Sequence, residues 1–163
     1  MILKDTTIQE MKKRMERYPS RRSAILPALT AAYKQTGHLN EEIYREISRA
    51  IQVPYVEIAE AATFYTMFPK KEVGRYLIHV CHNISCSLRG ADNMLEYLQE
   101  KLGIGMGDTT PDKMFTLISV ECLGGCSAAP MMQIWDTYYE NLTRDKIDKI
   151  LTDLRAHAEK DSV

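Results

Sequence analysis

Two short motifs contain all four cysteines of the chain: residues 81–86 (CHNISC) and residues 122–126 (CLGGC). We call them the first and the second cysteine segment. Each follows a run of alternating apolar residues that predicts a β-strand, at about residues 75–80 and 114–120. Because loops at the same end of a sheet lie side by side, the sequence predicts that four sulfur atoms meet at one edge of a sheet.

The residues around these motifs, from Gly74 onward, predict one α/β layer structure. A helix is expected at about residues 87–102, and short strands at residues 131–135 and 138–140. Thr143 is the expected cap of a last helix. The apolar residues expected to face inward are Leu88, Ala91, Met94, Leu95, Leu98 and Leu102 on the first helix and Ile147, Ile150, Leu151 and Leu154 on the second. The order β, α, β, β, β, α predicts an α/β sandwich of one small sheet and two helices.

The first 72 residues predict helices and no strands. The expected helices cover about residues 6–18, 21–35, 40–51 and 54–64, with Ser20 and Asn40 as caps and Gly37 as a stop signal. We therefore expect two domains, a helical bundle at 1–72 and the α/β domain at 73–163. The aromatic run at residues 64–68 (FYTMF) is expected to pack in the core between the two domains, with a docking surface as the alternative.

Composition limits the classes of function. The chain has 163 residues, 45% hydrophobic and 26% charged, which is enough to bury a substantial core. Its net charge of -1 gives no basic face for nucleic acid or an anionic membrane. No apolar run approaches the roughly twenty residues of a membrane span, and the first residues lack a signal-peptide core. We expect a soluble, cytoplasmic protein without disulfide bonds.

Four paired cysteines can bind zinc, hold an iron-sulfur cluster, form disulfides, or serve as small buried apolar residues. The gaps within the pairs are four and three residues. Structural zinc sites favour gaps of two residues and tolerate four, so these wider gaps favour a larger metal centre. Our hypothesis is a two-iron cluster in which Cys81 and Cys86 bind one iron and Cys122 and Cys126 bind the other.

Residues between and beside the cysteines suit such a centre. Gly124 and Gly125 lack a Cβ, so their backbone N–H groups can approach sulfur, although glycines at this position are also ordinary turn residues. The hydroxyl groups expected to donate to sulfur are those of Ser85, Ser87 and Ser127. The bond between Ala129 and Pro130 is a candidate cis peptide beside the site.

The motif at residues 122–130 (CLGGCSAAP), together with residues 62–68 (ATFYTMF) and 138–143 (YYENLT), resembles the E subunit of NADH:quinone oxidoreductase, respiratory complex I. The resemblance covers nearly the whole chain. It implies a thioredoxin-like [2Fe-2S] domain, a small mixed sheet with flanking helices, preceded by an N-terminal helical bundle. The ligands that it implies are Cys81, Cys86, Cys122 and Cys126. The chain has Gly125 where that family often has alanine.

The resemblance also implies a function. A protein of this family transfers electrons without catalytic side chains and places its [2Fe-2S] cluster next to the FMN of an NADH-oxidising flavoprotein subunit. Further iron-sulfur subunits complete the oxidoreductase complex, which lies in the cytoplasm or on the cytoplasmic face of the membrane. The alternative is the equivalent subunit of an NAD-linked or electron-bifurcating [FeFe] or [NiFe] hydrogenase or of a formate dehydrogenase.

Other classes of function remain open on the residues alone. The cysteines could hold a structural zinc ion in an adaptor protein. His82, beside Cys81, could tune the cluster or replace one of its ligands, but four cysteines already complete the coordination and a histidine in a loop is usually solvated. A thiol-disulfide oxidoreductase is disfavoured because the chain has no Cys-x-x-Cys motif. The glycines at residues 103–107 follow a predicted helix rather than a strand, so they do not predict a nucleotide site.

Overall fold

The computed structural model describes residues 1–160; residues 161–163, the end of the predicted second domain, lie outside the described residues. The chain divides into two compact units, Met1–Glu72 and Val73–Val163, which we call the helical unit and the sheet unit. The helical unit contains α1 (Asp5–Met15), α2 (Ile25–Thr36), α3 (Glu41–Ile51) and α4 (Tyr55–Phe64), with a 3₁₀ turn at Arg21–Ala24 before α2.

The ends of these helices follow local chemistry. The side chain of Ser20 accepts a hydrogen bond from the backbone N–H of Arg22, and the side chain of Asn40 accepts one from Ile43. Gly37 ends α2 in the left-handed conformation, with φ of +73°. All three signals were expected from the sequence. The apolar faces of the helices and of the loops next to them form one buried cluster whose largest fully buried members are Leu3, Met11, Leu29, Leu39, Ile43, Ile47, Ile51, Ile58 and Phe68.

A four-stranded mixed sheet forms the centre of the sheet unit. Its strands are β1 (Tyr76–Cys81), β2 (Phe115–Val120), β3 (Met132–Ile134) and β4 (Thr137–Tyr139), in the spatial order β2-β1-β3-β4. Strands β1 and β2 run parallel, whereas β1 with β3 and β3 with β4 run antiparallel. The predicted strands and the predicted mixed sheet are confirmed. Most strand ends differ by one residue from the predicted ends.

Three helices accompany the sheet: α5 (Ile84–Leu88), α6 (Ala91–Leu102) and α7 (Arg144–Lys160). The core of the unit contains the side chains of Tyr76, Ile78, Val80, Phe115, Leu117, Met132 and Ile134 from the sheet and of Leu98, Ile147, Ile150 and Leu151 from α6 and α7. Removing a side chain of this size from water stabilises the fold by about 1.5–3 kcal/mol. The backbone N–H of Lys146 donates to the Thr143 hydroxyl, which confirms the predicted cap of α7.

Two expectations from the sequence were wrong. The single helix predicted at residues 87–102 is two helices, because Gly90 has φ of +89°, a left-handed conformation that ends the first and starts the second. Leu88, expected to face inward, is 82% exposed as a result. The aromatic run at residues 64–68 is also not core: Phe64 is 78% exposed and Met67 53%, and only Phe68 is buried.

In the part of the chain that the structure describes, none of the helices combines the length and the apolar character required to cross a bilayer.

Candidate metal centre

Parallel pairing of β1 and β2 brings the two cysteine segments to the same edge of the sheet. Cys81 is the last residue of β1 and lies opposite Val120, the last residue of β2. The backbone N–H of His82 donates to the carbonyl oxygen of Val120 at 3.1 Å, which extends the pairing one residue beyond the strands. Cys122 follows two residues after Val120. The predicted meeting of the two segments therefore results from parallel register.

The first cysteine segment forms a buried pair. Cys86 lies in α5, whose first N–H group, that of Ile84, donates to the side-chain oxygen of Asn83 at 2.9 Å. The one-turn helix returns the chain toward Cys81, and a side-chain hydrogen bond with Cys81 is one of the causes that raise the pKa of Cys86. Both residues are only 2% exposed and pack in a small cluster with Ala91, Ala129 and Met131.

The second cysteine segment is exposed to solvent. Cys122 and Cys126 are both exposed, and their sulfur atoms are 3.9 Å apart. Gly124 has φ of +85°, and its backbone N–H donates to the Cys122 sulfur at 3.4 Å. This contact is the N–H···S bond predicted from the glycines. A Cβ on Gly125 would lie 2.6 Å from the Met131 sulfur, so the loop passes close above that side chain.

The two pairs interact at Cys86. The pKa of the Cys86 thiol is raised to about 11, mainly because the thiol is buried. The hydrogen bond to Cys81 and electrostatic interactions with Cys81 and Cys126 raise it further, whereas a backbone hydrogen bond from Met131 lowers it. A thiol with this pKa is protonated at neutral pH, and a bound cation would displace its proton. All four cysteines are free thiols.

The donor set suits an iron-sulfur centre. Both cysteine segments reach one edge of the sheet, the Gly124 N–H donates to the Cys122 sulfur, and a backbone hydrogen bond from Met131 lowers the pKa of Cys86. Such hydrogen bonds to sulfur tune the potential of iron-sulfur clusters. Within residues 1–160, no group of three or more His, Cys, Asp and Glu side chains is arranged around a single point for one metal ion.

The structure also corrects one expected contact and adds others. The Ser87 hydroxyl donates to a carboxylate oxygen of Asp92 at 2.7 Å, not to a cysteine sulfur. Glu121 accepts a hydrogen bond from Asn83 at 3.0 Å and lies 3.7 Å from His82. Sequence reasoning missed the roles of Asn83 and Met131. The position of Asn83 directly before α5 was a local cap signal that could have revealed the first role.

Comparison with known proteins identifies the family. Residues 11–155 match the family model described as thioredoxin-like [2Fe-2S] ferredoxin. The chain is 44% identical to the NADH-quinone oxidoreductase E 2 subunit of Rhizobium meliloti (strain 1021) over 151 residues, which cover 93% of this chain and 90% of the relative. It is also 44% identical to the NADH-quinone oxidoreductase E subunit of Rickettsia conorii (strain ATCC VR-613 / Malish 7) over 144 residues, 86% of each chain.

Among solved structures, the chain is similar to part of an NAD⁺-reducing [NiFe]-hydrogenase in the H2-reduced state. The TM-score is 0.67 at 26% identity, and the match covers 78% of this chain but only 22% of the hydrogenase chain. The expected resemblance to the E subunit of NADH:quinone oxidoreductase and the expected thioredoxin-like fold class are both confirmed by these comparisons. The chain belongs to the thioredoxin-like [2Fe-2S] ferredoxin family.

Proposed function

We propose that the chain is an electron-transfer subunit that holds one [2Fe-2S] cluster next to the flavin of an NADH-oxidising partner subunit. The observation that supports this function best is the meeting of a buried and an exposed cysteine pair at one edge of the sheet. The proposed ligands are Cys81 and Cys86 for one iron and Cys122 and Cys126 for the other. One-electron transfer is the chemistry that such a cluster supplies when bound.

The chain's own residues divide the work of holding and exposing this group. Cys81 and Cys86 are fixed by β1 and α5 and are shielded from water, so they form the rigid side of the site. Cys122 and Cys126 lie at the surface, where electrons can pass to and from another protein. The N–H of Gly124 offsets negative charge on the Cys122 sulfur without adding a titratable group.

The surface beside the cysteines is suited to a protein partner. Ile84 and Leu88 are one turn apart on α5 and are 71% and 82% exposed. Exposed apolar side chains on a helix that carries a proposed ligand are typical of an interface that becomes buried on assembly. We propose that this surface contacts the FMN- and NADH-binding flavoprotein, within a complex that contains further iron-sulfur subunits and lies in the cytoplasm or on the cytoplasmic face of a membrane.

Metal content and spectroscopy test the cofactor. The full chain is purified without oxygen, and iron and zinc are counted in the same sample used for visible absorption and low-temperature EPR, before and after dithionite. We expect about two irons per chain, no EPR signal when oxidised and a rhombic or axial signal when reduced. A colourless protein with one zinc ion, unchanged by anaerobic cluster reconstitution, would contradict the proposal and favour the zinc adaptor.

Binding of the flavoprotein tests the partner. Leu88→Asp introduces a charge into the proposed contact surface and should weaken binding at least about tenfold, because an unpaired charge would be buried there. Phe64→Asp is the matched variant at an equally exposed apolar position on the helical unit. Affinity measured by calorimetry distinguishes the surfaces. A loss of binding for Phe64→Asp alone would contradict a docking surface at the cysteines.

A second candidate function follows from the match to the NAD⁺-reducing [NiFe]-hydrogenase. In that case the same site would transfer electrons within an NAD-linked hydrogenase. The complex isolated with the chain distinguishes the two functions, because one reduces quinone with NADH and the other reduces NAD⁺ with H2. We favour the first function because the relatives at 44% identity are named as NADH-quinone oxidoreductase subunits.

A further inference from the structure

A side-chain hydrogen bond links the two cysteine segments directly. The side-chain nitrogen of Asn83, in the first segment, donates to a carboxylate oxygen of Glu121 at 3.0 Å, across 38 residues of sequence. The other carboxylate oxygen of Glu121 lies 3.7 Å from the Nε2 atom of His82. Glu121 is the residue directly before Cys122. We call this contact the Asn83–Glu121 bridge.

The bridge begins where backbone pairing between the strands ends. The last backbone hydrogen bond between the two chain segments runs from the His82 N–H to the Val120 carbonyl. Asn83 and Glu121 are the next residue on each side. The bridge therefore continues the parallel pairing of β1 and β2 one step outward, at the point where both segments leave the sheet.

Asn83 also fixes the helix that contains Cys86. Its side-chain oxygen accepts a hydrogen bond from the backbone N–H of Ile84, the first residue of α5, at 2.9 Å. One end of the amide group thus holds the start of α5, and the other end holds the residue before Cys122. The same side chain couples a buried ligand position to an exposed one.

We propose that Asn83 and Glu121 are positioning residues that set the distance between the buried and the exposed cysteine pair. Two irons joined by bridging sulfides require two ligand pairs at a fixed separation, and the exposed pair lies in a loop whose Gly124 has open space around it. The bridge restrains that loop against the rigid side of the site. This inference rests on the proposed function, because the cluster is the group whose geometry it determines.

Donor and acceptor exchange tests the bridge. Asn83→Asp keeps the oxygen that caps α5 but loses the N–H group that donates to Glu121, and it places two carboxylates side by side. Glu121→Gln keeps an acceptor for Asn83. The double variant Asn83→Asp with Glu121→Gln reverses the hydrogen bond, because the new amide can donate to the new carboxylate.

The readouts are the half-time of cluster loss to a chelator, the EPR g values and the midpoint potential of the full chain. We expect cluster loss about fivefold faster for Asn83→Asp, with shifted g values, and a half-time within about twofold of wild type for Glu121→Gln and for the double variant. Melting of the apo protein should change little, because the bridge is exposed.

The outcomes separate this inference from the proposed function. If wild type binds two irons but Asn83→Asp retains the wild-type half-time and g values, the bridge has no positioning role. If the double variant loses its cluster as fast as Asn83→Asp, the reversed hydrogen bond does not restore the site and the inference is overturned. If wild type binds no iron after reconstitution, both the inference and the proposed function are wrong.

Discussion

The two cysteine segments differ in how the chain holds them. The first is anchored by a strand and a capped helix turn, and its cysteines are 2% exposed. The second is a loop with a left-handed glycine, and both of its cysteines are exposed. The same residue type therefore serves in two physical environments within one site. In the proposed site the buried pair would provide rigidity and the exposed pair would provide access to a partner.

Removing one proposed ligand from each pair should have the largest effect and should reveal the difference between the two segments. Cys86→Ala and Cys122→Ala should each lose the two irons, because each removes a ligand. Only Cys86→Ala should also lower the stability of the apo protein, by about 1 kcal/mol, because its sulfur is buried in a packed cluster. Iron counts and thermal melting of the apo proteins check both statements. Retention of both irons by either variant would contradict the proposed ligand set.

Thiol reactivity measures the difference in environment directly. In the apo protein at pH 8, iodoacetamide should modify Cys122 and Cys126 at least about tenfold faster than Cys81 and Cys86. Access is one reason, and the pKa of about 11 is the other, since less than about 1% of the Cys86 thiol is ionised at that pH. Mass spectrometry of peptides over time gives the four rates. Equal rates would show that the first pair is not buried in solution.

The two glycines of the second segment provide a finer test. Gly124→Ala should cost about 1 kcal/mol, because a side chain is disfavoured at φ of +85°, and it should weaken the hydrogen bond to Cys122. Gly125→Ala is the matched control: φ there is -96°, and the new methyl group meets only the end of the flexible Met131 side chain.

Urea unfolding of the apo variants measures this difference. We expect Gly124→Ala to be the less stable of the two. The reverse order would indicate that contact with Met131, rather than backbone conformation, limits this loop.

The smallest expected effect concerns Ser87, the residue directly after the first segment. Ser87→Ala removes the hydrogen bond to Asp92 and should lower the free energy of unfolding by roughly 0.5 kcal/mol. The EPR spectrum of the reduced holoprotein should stay unchanged, because the hydroxyl points to a carboxylate rather than to sulfur. Asp92→Asn, which keeps an acceptor, is the control for the loss of stability. A shifted spectrum for Ser87→Ala would restore the contact with sulfur that the sequence predicted.

Much of the site could be predicted because its determinants are local. The spacing of the cysteines, the alternation of residues before them and the glycines between Cys122 and Cys126 are short-range patterns. They were sufficient for the strands, for the placement of both cysteine segments at one edge of the sheet and for the N–H bond to the Cys122 sulfur. The caps at Ser20, Asn40 and Thr143 could be predicted for the same reason.

Predictions failed where a residue depends on partners outside its own segment. Leu88 fits the apolar face of a continuous helix, but the left-handed Gly90 separates it from α6. Ser87 lies next to Cys86 in sequence, yet its partner in space is Asp92. Phe64 is aromatic, but it is the last residue of α4 and its side chain is exposed to solvent.

The amino-acid sequence by itself determined the element types, the caps and the four thiols, because each depends on interactions over a few residues. Tertiary structure alone decided which pair is buried and which is exposed, since burial depends on the packing of Ala91 from α6 and of Ala129 and Met131 from the segment before β3. It also decided the Asn83–Glu121 bridge, because parallel pairing of two strands must first bring residues 38 positions apart into contact.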